Sequence, residues 1–458
     1  MSIILLQPPK SISSYIERLQ ILITTVKKES QTQSILLECV CAKLVEQGNR
    51  ISVHHLKSGF NFKHIVHSIV PVLLGIYYVL TNREKILGIK YSGFLIGKYA
   101  ASAAYRSPRS YASAFIFFYN FAHALGRCVK LIDNCVLHRN EAVGFFPTEI
   151  TYTNGVLIEL AFKWKKRLFI QKYPHNFREI NTLDERNKLD LFLVKSTKLP
   201  KKVHRGNELI LNLLEDPNLR DYMKDISFTQ LNKNIDDPYA VIYTHSFTDA
   251  QQDIGGEENY ITMLDWLKHT LLLLRDKKVI VKAHPAFYAN SEVGTISFWD
   301  RTIFLRFKKS YKNPNHTFVD YPMTNKSLLD KLSRNVILIS HHGNALLEGG
   351  YLGFPCLSAS ASFWSGRNIF TEWSTREEYK HLLYNPNKIR VPKKYDIAEY
   401  LADFYLSETS CFNENSWQKI IASELKISFS DVFSGKLNSV RISKEARQRC
   451  IERIRRSL

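Results

Sequence analysis

Between Asn335 and Ser360 the chain reads NVILISHHGNALLEGGYLGFPCLSAS, and no other stretch limits the fold as tightly. The spacing predicts a short apolar strand over Val336 to Ile339, a polar loop over Ser340 to Asn344 and a helix from Ala345 to Leu352. A Gly-x-Pro stop at Gly353 and Pro355 and a second strand from Cys356 follow. Apolar runs of four to eight residues between breakers suit strands buried on both faces of a parallel sheet, and glycine then proline is the order in which helices end. The loop therefore falls at a strand's carboxyl end and against a helix start. Open α/β sheets bind ligands at that edge, and unpaired helix N–H groups favour phosphate there.

The same alternation runs through the second half. Strands are expected at Ala240 to Thr244, at Val279 to Lys282 and at Phe318 and Val319, with helices over Tyr260 to Arg275 and Ser327 to Leu332. That pitch predicts a parallel, doubly wound sheet. Its strand ends carry THSFTDA with His245, Ser246 and Asp249, KAHP with Lys282, His284 and Pro285, then Asp320, then SHHGN. In a parallel sheet these ends share one edge, so loops far apart in sequence converge.

The first half is read more coarsely. Apolar residues recur at helical spacing over the first 60 residues, for example Ile16, Leu19, Ile21, Leu22 and Val26. Ile65 to Leu80 is a longer apolar run, shorter than the roughly 20 residues that span a bilayer, and is expected to be a buried helix. Beyond it a strand or turn over Tyr91 to Gly97 precedes a long helix towards Leu137. A strand at Ala142 to Phe146, a turn presenting Glu149, a helix from Asn154 to Phe162 and a strand at Arg167 to Gln171 repeat the strand, loop, helix order. Residues 172–237 are polar and helical in places. These readings divide the chain into an N-terminal helical segment (1–85), an acceptor-side α/β domain with a helical linker (86–235), a donor-binding Rossmann-like domain (236–410) and a basic helical tail (411–458).

The formal net charge of +20 points to an anionic partner: a phosphorylated substrate, anionic lipid or nucleic acid. Basic residues scattered without a recognition motif disfavour nucleic acid. The denser tail, with Arg447, Arg449, Arg453, Arg455 and Arg456, suggests a peripheral role at an anionic membrane surface. Seven cysteines, odd in number and without a CxxC pair, fit structural thiols in a reducing cytoplasm.

His284-Pro285 after an apolar strand, then Ser340-His341-His342-Gly343-Asn344 after another, then Glu348 with Gly353 and Pro355 five and seven positions on, resembles the nucleotide-sugar half of GT-B glycosyltransferases. More narrowly the chain is similar to bacterial capsule polysaccharide biosynthesis proteins, the group that includes Kdo transferases, and less closely to bacterial sialyl- and polysialyltransferases. THSFTDA, DWLKHTL and TREEYKHLL extend the resemblance; KYSGFLIGKYAASAAYR and the Glu149 region match more loosely. It covers about Tyr91 to Tyr405. It implies an α/β, GT-B-like fold of two Rossmann-like domains with a cleft between them, plus terminal helices. It also implies that His284 and the Ser340 to Asn344 loop hold the phosphate of a CMP- or UDP-type nucleotide sugar, with Glu348 near its ribose or base. The implied acceptor is a glycan or glycolipid. The histidine pair replaces the hydroxyls usual in that loop, which leaves open the side chain that takes the serine's role.

Transfer from a nucleotide sugar develops negative charge on the leaving phosphate, and preorganised donors that meet it raise the rate. Lys282, His284, Pro285's loop, His341, His342 and the N–H groups around Gly343 supply candidates without a cofactor or a metal. Adjacent histidines are expected to point apart, and no Cys or acidic ligand stands at zinc spacing. An acceptor hydroxyl needs a base, for which Glu149 is the first choice and Asp249 the second. Two rivals remain: transfer of a polyol phosphate from a CDP-activated donor, as in teichoic-acid synthesis, and a non-catalytic component of polysaccharide assembly.

Overall fold

The computed structural model describes residues 2–6, 51–55, 62–137, 139–140, 142–146, 152–172, 176–180, 199–216, 226–229, 237–248, 260–288, 298–360, 362, 364, 367–410 and 449. The first unit contains, in chain order, β1 (Ser2–Leu6), β2 (Ile51–His55), α1 (Phe62–Thr81), the hairpin β3 (Lys90–Tyr91) and β4 (Phe94–Leu95), α2 (Gly97–Tyr105) and α3 (Ala114–Leu137). It ends with β5 (Ala142–Phe146), α4 (Val156–Lys163), β6 (Arg167–Lys172) and β7 (Asn176–Ile180). Its sheet runs in the order β2, β1, β5, β6, β7, parallel except for the β6–β7 pair.

Two expectations change here. Ser2–Leu6 and Ile51–His55, placed by sequence in a helical segment outside the first α/β domain, are parallel strands of its sheet. Asn176–Ile180, within a stretch read as polar and helical in places, is an antiparallel edge strand. Short strands carry too few residues to show a period, so partners elsewhere in the chain decide them. The apolar positions from Ile16 to Val26 lie outside the described residues.

The second unit begins with α5 (Leu199–Glu215), followed by β8 (Ala240–Tyr243), α6 (Met263–Leu273), β9 (Val279–Lys282), α7 (Phe298–Ser310), β10 (His316–Val319) and α8 (Asn325–Leu329). Then come β11 (Ile337–Ser340), α9 (Ala345–Tyr351), β12 (Cys356–Ala359), β13 (Thr371–Trp373), α10 (Arg376–Tyr384) and α11 (Lys394–Ser410). The order β10, β9, β8, β11, β12, β13 is parallel throughout. Every residue of β8, β9, β11 and β12 is buried, as continuous apolar strands between two helical layers require. On one face Ile242, Val281 and Ile339 pack with Trp266, Phe304 and Tyr379; on the other Val241, Ile280 and Leu338 pack with Ile210, Leu347 and Leu401. Thr262 and Thr375 cap α6 and α10 by accepting the N–H of Asp265 and Glu378. Gly353, at φ +91°, ends α9, and the N–H of Phe354 reaches back to the Gly349 carbonyl. A left-handed residue there is the reason the stop begins with glycine.

The chain thus holds two Rossmann-like α/β units, the GT-B-like organisation anticipated. Arg376 pairs with Glu84 at 2.7 Å, Arg83 lies 3.7 Å from Asp265, and the Tyr111 hydroxyl donates to the Phe247 carbonyl across the units. Cys128, Cys135 and Cys356 are buried free thiols, and burial pushes Cys135 and Cys356 up from the ordinary thiol pKa.

Candidate functional site

Strand order decides how the loops meet. Because β8 lies between β9 and β11, the residue after its end stands between the His284 loop and the His341-His342 loop. That residue region carries His245, whose ring centroid is 5.6 Å from His284 and 4.3 Å from His342. His284 and His245 are half-buried, whereas His341 and His342 are 5% and 3% exposed. The two accessible rings therefore form the outer surface of the cluster, and the adjacent pair forms its back.

Each ring is held. The Thr244 hydroxyl donates to the Lys282 carbonyl and accepts the N–H of His284, both at 3.1 Å, tying the ends of β8 and β9 together. Behind His284, Pro285 opens a single 3₁₀ turn, and the N–H of Ala286 donates to His284 Nδ1 at 3.2 Å. An Nδ1 that accepts leaves the proton on Nε2 in the neutral ring. The His-Pro turn thus fixes the tautomer in which the distal nitrogen is a donor. Residues 246–248 are held by Asp300 of α7, which is fully buried. It accepts from the Ser246 and Thr248 hydroxyls and the Thr248 N–H at 3.1 Å each, and from the Phe247 N–H at 2.5 Å.

The paired histidines depart from expectation. Their Nδ1 atoms meet at 2.9 Å while the rings stand 87° apart, so the side chains touch and diverge only beyond that contact. His341 is perpendicular to Trp266 and Trp373, and its carbonyl accepts from Ala359 N–H and the Ser362 hydroxyl. It is anchored in the core. His342 turns towards His245, and its Nε2 is buried with no hydrogen-bond partner among the described residues.

Burial, reinforced by His245, His341 and His284, holds the His342 pKa well below the imidazole value. His316 and His269 shift in the same direction, chiefly through burial. A histidine whose folded pKa is depressed is protonated first in the unfolded chain, so its share of stability is complete above about pH 6.5 and is lost as pH falls below that value. For His342 the loss reaches about 1.4 kcal/mol for each pH unit below 6.5. Urea unfolding at pH 7.5 and pH 5.5 should show a smaller difference in His342→Asn than in the wild type; equal differences would exclude His342 as a source.

Ser340 is fully buried, and its hydroxyl accepts the N–H of Gly343 at 3.0 Å, so it shapes the loop. A Cβ on Gly343 would come within 2.7 Å of that hydroxyl. Asn344 starts α9 without a side-chain cap, leaving its first-turn donors uncapped by that residue. Lys282 is 1% exposed, with Nζ 5.8 Å from the Tyr243 ring, so its amine lies inside the unit rather than at the surface. Glu348 is 4% exposed, and Asn325 Nδ2, at the start of α8, donates to it at 2.8 Å. The hydroxyl of Tyr243 and Oδ1 of Asn325 are buried without hydrogen-bond partners among the described residues. Asp320, the fourth polar strand end, is engaged by Lys308 at 2.7 Å. Glu149 and Asp249 lie outside the described residues.

Of the predicted residues, His284, His341, His342, Gly343, Asn344, Ser340 and Lys282 share one sheet edge. Sequence reasoning named His245 only as one polar strand end among several and missed Thr244, Asp300 and Asn325. No three of the described His, Cys, Asp and Glu side chains are arranged to hold a metal ion.

No protein-family model matches the chain, and no curated protein matches it. Among solved structures, the β-Kdo 2,4-transferase KpsC of Thermosulfurimonas dismutans is 11% identical with a TM-score of 0.33, over 57% of this chain and 78% of that one. The UDP-GlcNAc 2-epimerase of Methanocaldococcus jannaschii is 13% identical with a TM-score of 0.25, over 90% of this chain and 99% of that one. Both likenesses are slight, and the fold rests on the strand order and packing described above.

Proposed function

We propose that the chain is a glycosyltransferase that moves a sugar from a nucleotide-activated donor to a glycan or glycolipid acceptor of a surface polysaccharide. The observation that carries this reading is the row of His284, His245 and His342 at three neighbouring strand ends, with His284 fixed as an Nε2–H donor. Buried polar atoms normally find partners, and His342 Nε2, Tyr243 OH and Asn325 Oδ1 have none among the described residues. Such a surface suits a polar, phosphate-bearing ligand.

In the reaction, the bond from the anomeric carbon to the phosphate oxygen breaks and its electron pair leaves with the nucleotide. The acceptor oxygen forms the new bond and gives its proton to a base, Glu149 or Asp249 in this proposal. His284 donates to the phosphate that gains charge, and His245 and the start of α9 flank it. A neutral His342 supports that surface without adding a buried charge. Glu348 and Asn325 are assigned to the nucleoside. Removing one such preorganised donor costs about 10²-fold or more in rate.

The test is a thermal-shift and calorimetric screen of CMP, UDP, GDP, CDP and ADP at low salt, with the wild type and His284→Asn. Asparagine can accept the Ala286 N–H as the imidazole does, yet presents no distal donor. One nucleotide should stabilise the wild type, and the variant should melt at the same temperature but bind at least about tenfold more weakly. No shift with any nucleotide would remove the donor-site reading. Binding without turnover on lipid-linked or oligosaccharide acceptors would favour a non-catalytic component.

A further inference from the structure

The run Ile65 to Leu80, expected to be buried, lies in α1, a helix of 20 residues with one face outside. From Val66 to Leu80 every exposed side chain is apolar, with Leu73 59% and Leu80 75% exposed. Beside it α3 exposes Phe115 to 79% and Tyr119 to 68%. Between the helices runs an apolar groove of about 220 Å³, lined by Val72 and Ile76 of α1 and by Phe115, Phe118, Tyr119, Phe121 and Ala122 of α3. The inner sides are clasped: Asp133 of α3 accepts from the Tyr91 hydroxyl and meets His67 Nδ1 of α1, each at 2.9 Å. A Cβ at Gly75 would lie 2.6 Å from the Phe121 ring. The apolar face is thus a built, two-helix surface, and a contiguous patch of this kind marks an interaction site.

Charge selects the occupant. Residues 62–140 contain ten Lys and Arg against two acidic residues. One of those acids, Glu84, is paired with Arg376, and the other, Asp133, is turned to the clasp. Exposed Lys85, Lys90 and Arg109 follow Leu80 or precede Phe115 in the chain. Two copies meeting through this face would oppose like charges, whereas an anionic lipid surface complements them. Among the described residues no helix is long and apolar enough to cross a membrane, which leaves α1 lying along the surface.

We propose that the α1–α3 face docks the protein on an anionic bilayer. Leu73, Leu80 and Phe115 enter the acyl boundary, Tyr77 and Tyr119 sit at headgroup level, and Lys85, Lys90 and Arg109 meet the phosphates. This surface is separate from the histidine row and stands whether or not that row binds nucleotide. It differs from the tail-based membrane contact expected from sequence, and the experiment separates the two.

Flotation of the full-length protein with vesicles of phosphatidylcholine, alone or three to one with phosphatidylglycerol, reads the proposal directly. The wild type should float with the anionic vesicles at low salt. Leu80→Glu with Phe115→Glu should reduce the bound fraction at least about tenfold, without a change in melting temperature, because both side chains are exposed. Lys85→Gln and Lys90→Gln should each weaken binding by about fivefold. No binding, unchanged binding in the double variant, or binding lost only on replacing Arg453, Arg455 and Arg456 by serine would overturn it. So would a dimer, seen by light scattering without vesicles, that the double variant dissociates.

Discussion

Asp300→Ala should lower the unfolding free energy by about 3 kcal/mol or more, the scale on which breaking a fully buried, hydrogen-bonded charge site destabilises a protein. The carboxylate accepts two backbone N–H groups and two hydroxyls from residues 246–248, and the side chain is fully buried. Alanine leaves those donors in a dry site, and each unsatisfied buried donor costs about 1–3 kcal/mol. Asp300→Asn should fall between, because the amide keeps one acceptor oxygen but turns an NH₂ group towards donors. Denaturant titration of the three proteins gives the ranking. The same loop begins at His245, so the nucleotide-induced shift should diminish in Asp300→Asn even where the protein remains folded. An Asp300→Ala midpoint equal to that of the wild type would show that water fills the carboxylate's place.

Gly206→Val should destabilise the second unit by about 3 kcal/mol, at the upper end of what overpacking costs. A Cβ on Gly206 of α5 would stand 1.8 Å from the Ala398 carbonyl oxygen of α11, and a backbone atom cannot rotate aside. The neighbouring Asn207 accepts from the Tyr351 hydroxyl at 3.0 Å, so α5 also braces α9, the helix that starts at the His341-His342 loop. Separation of α5 from α11 should therefore weaken nucleotide binding as well as lower the melting temperature. Gly206→Ala tests the steric origin: it adds only the Cβ, and a melting temperature within a degree of the wild type would refute the close approach.

Much of the second unit was legible because its strands are continuous apolar runs whose ends carry polar loops. Ala240–Tyr243, Val279–Lys282 and Ile337–Ser340 fall within a residue of their predicted positions. Breakers bound each run, and burial on both faces leaves no alternation to misread. Asp300 gave no such signal: it lies in FWDRTIFLRF, one acid in a mixed helix, and its partners are more than fifty residues away in the chain. Ile65 to Leu80 shows the opposite failure. The helix was correct, but an unbroken apolar run states only that its surface avoids water, not that protein covers it. The strands Ser2–Leu6 and Ile51–His55 are too short for a period to distinguish them from helix.

What the sequence by itself determined is the set of local decisions: where strands end, that Gly353 must stop α9 because only glycine adopts its left-handed φ without strain, and that histidine-rich loops lie at one sheet edge. Tertiary structure alone decided that β8 lies between β9 and β11. That order puts His245 within ring contact of both His284 and His342 and turns separate loops into one surface. It also decided which face of α1 remained outside. Period and breakers act within a few residues of chain, whereas strand order and burial depend on contacts between segments a hundred residues apart, and no local pattern encodes their partners.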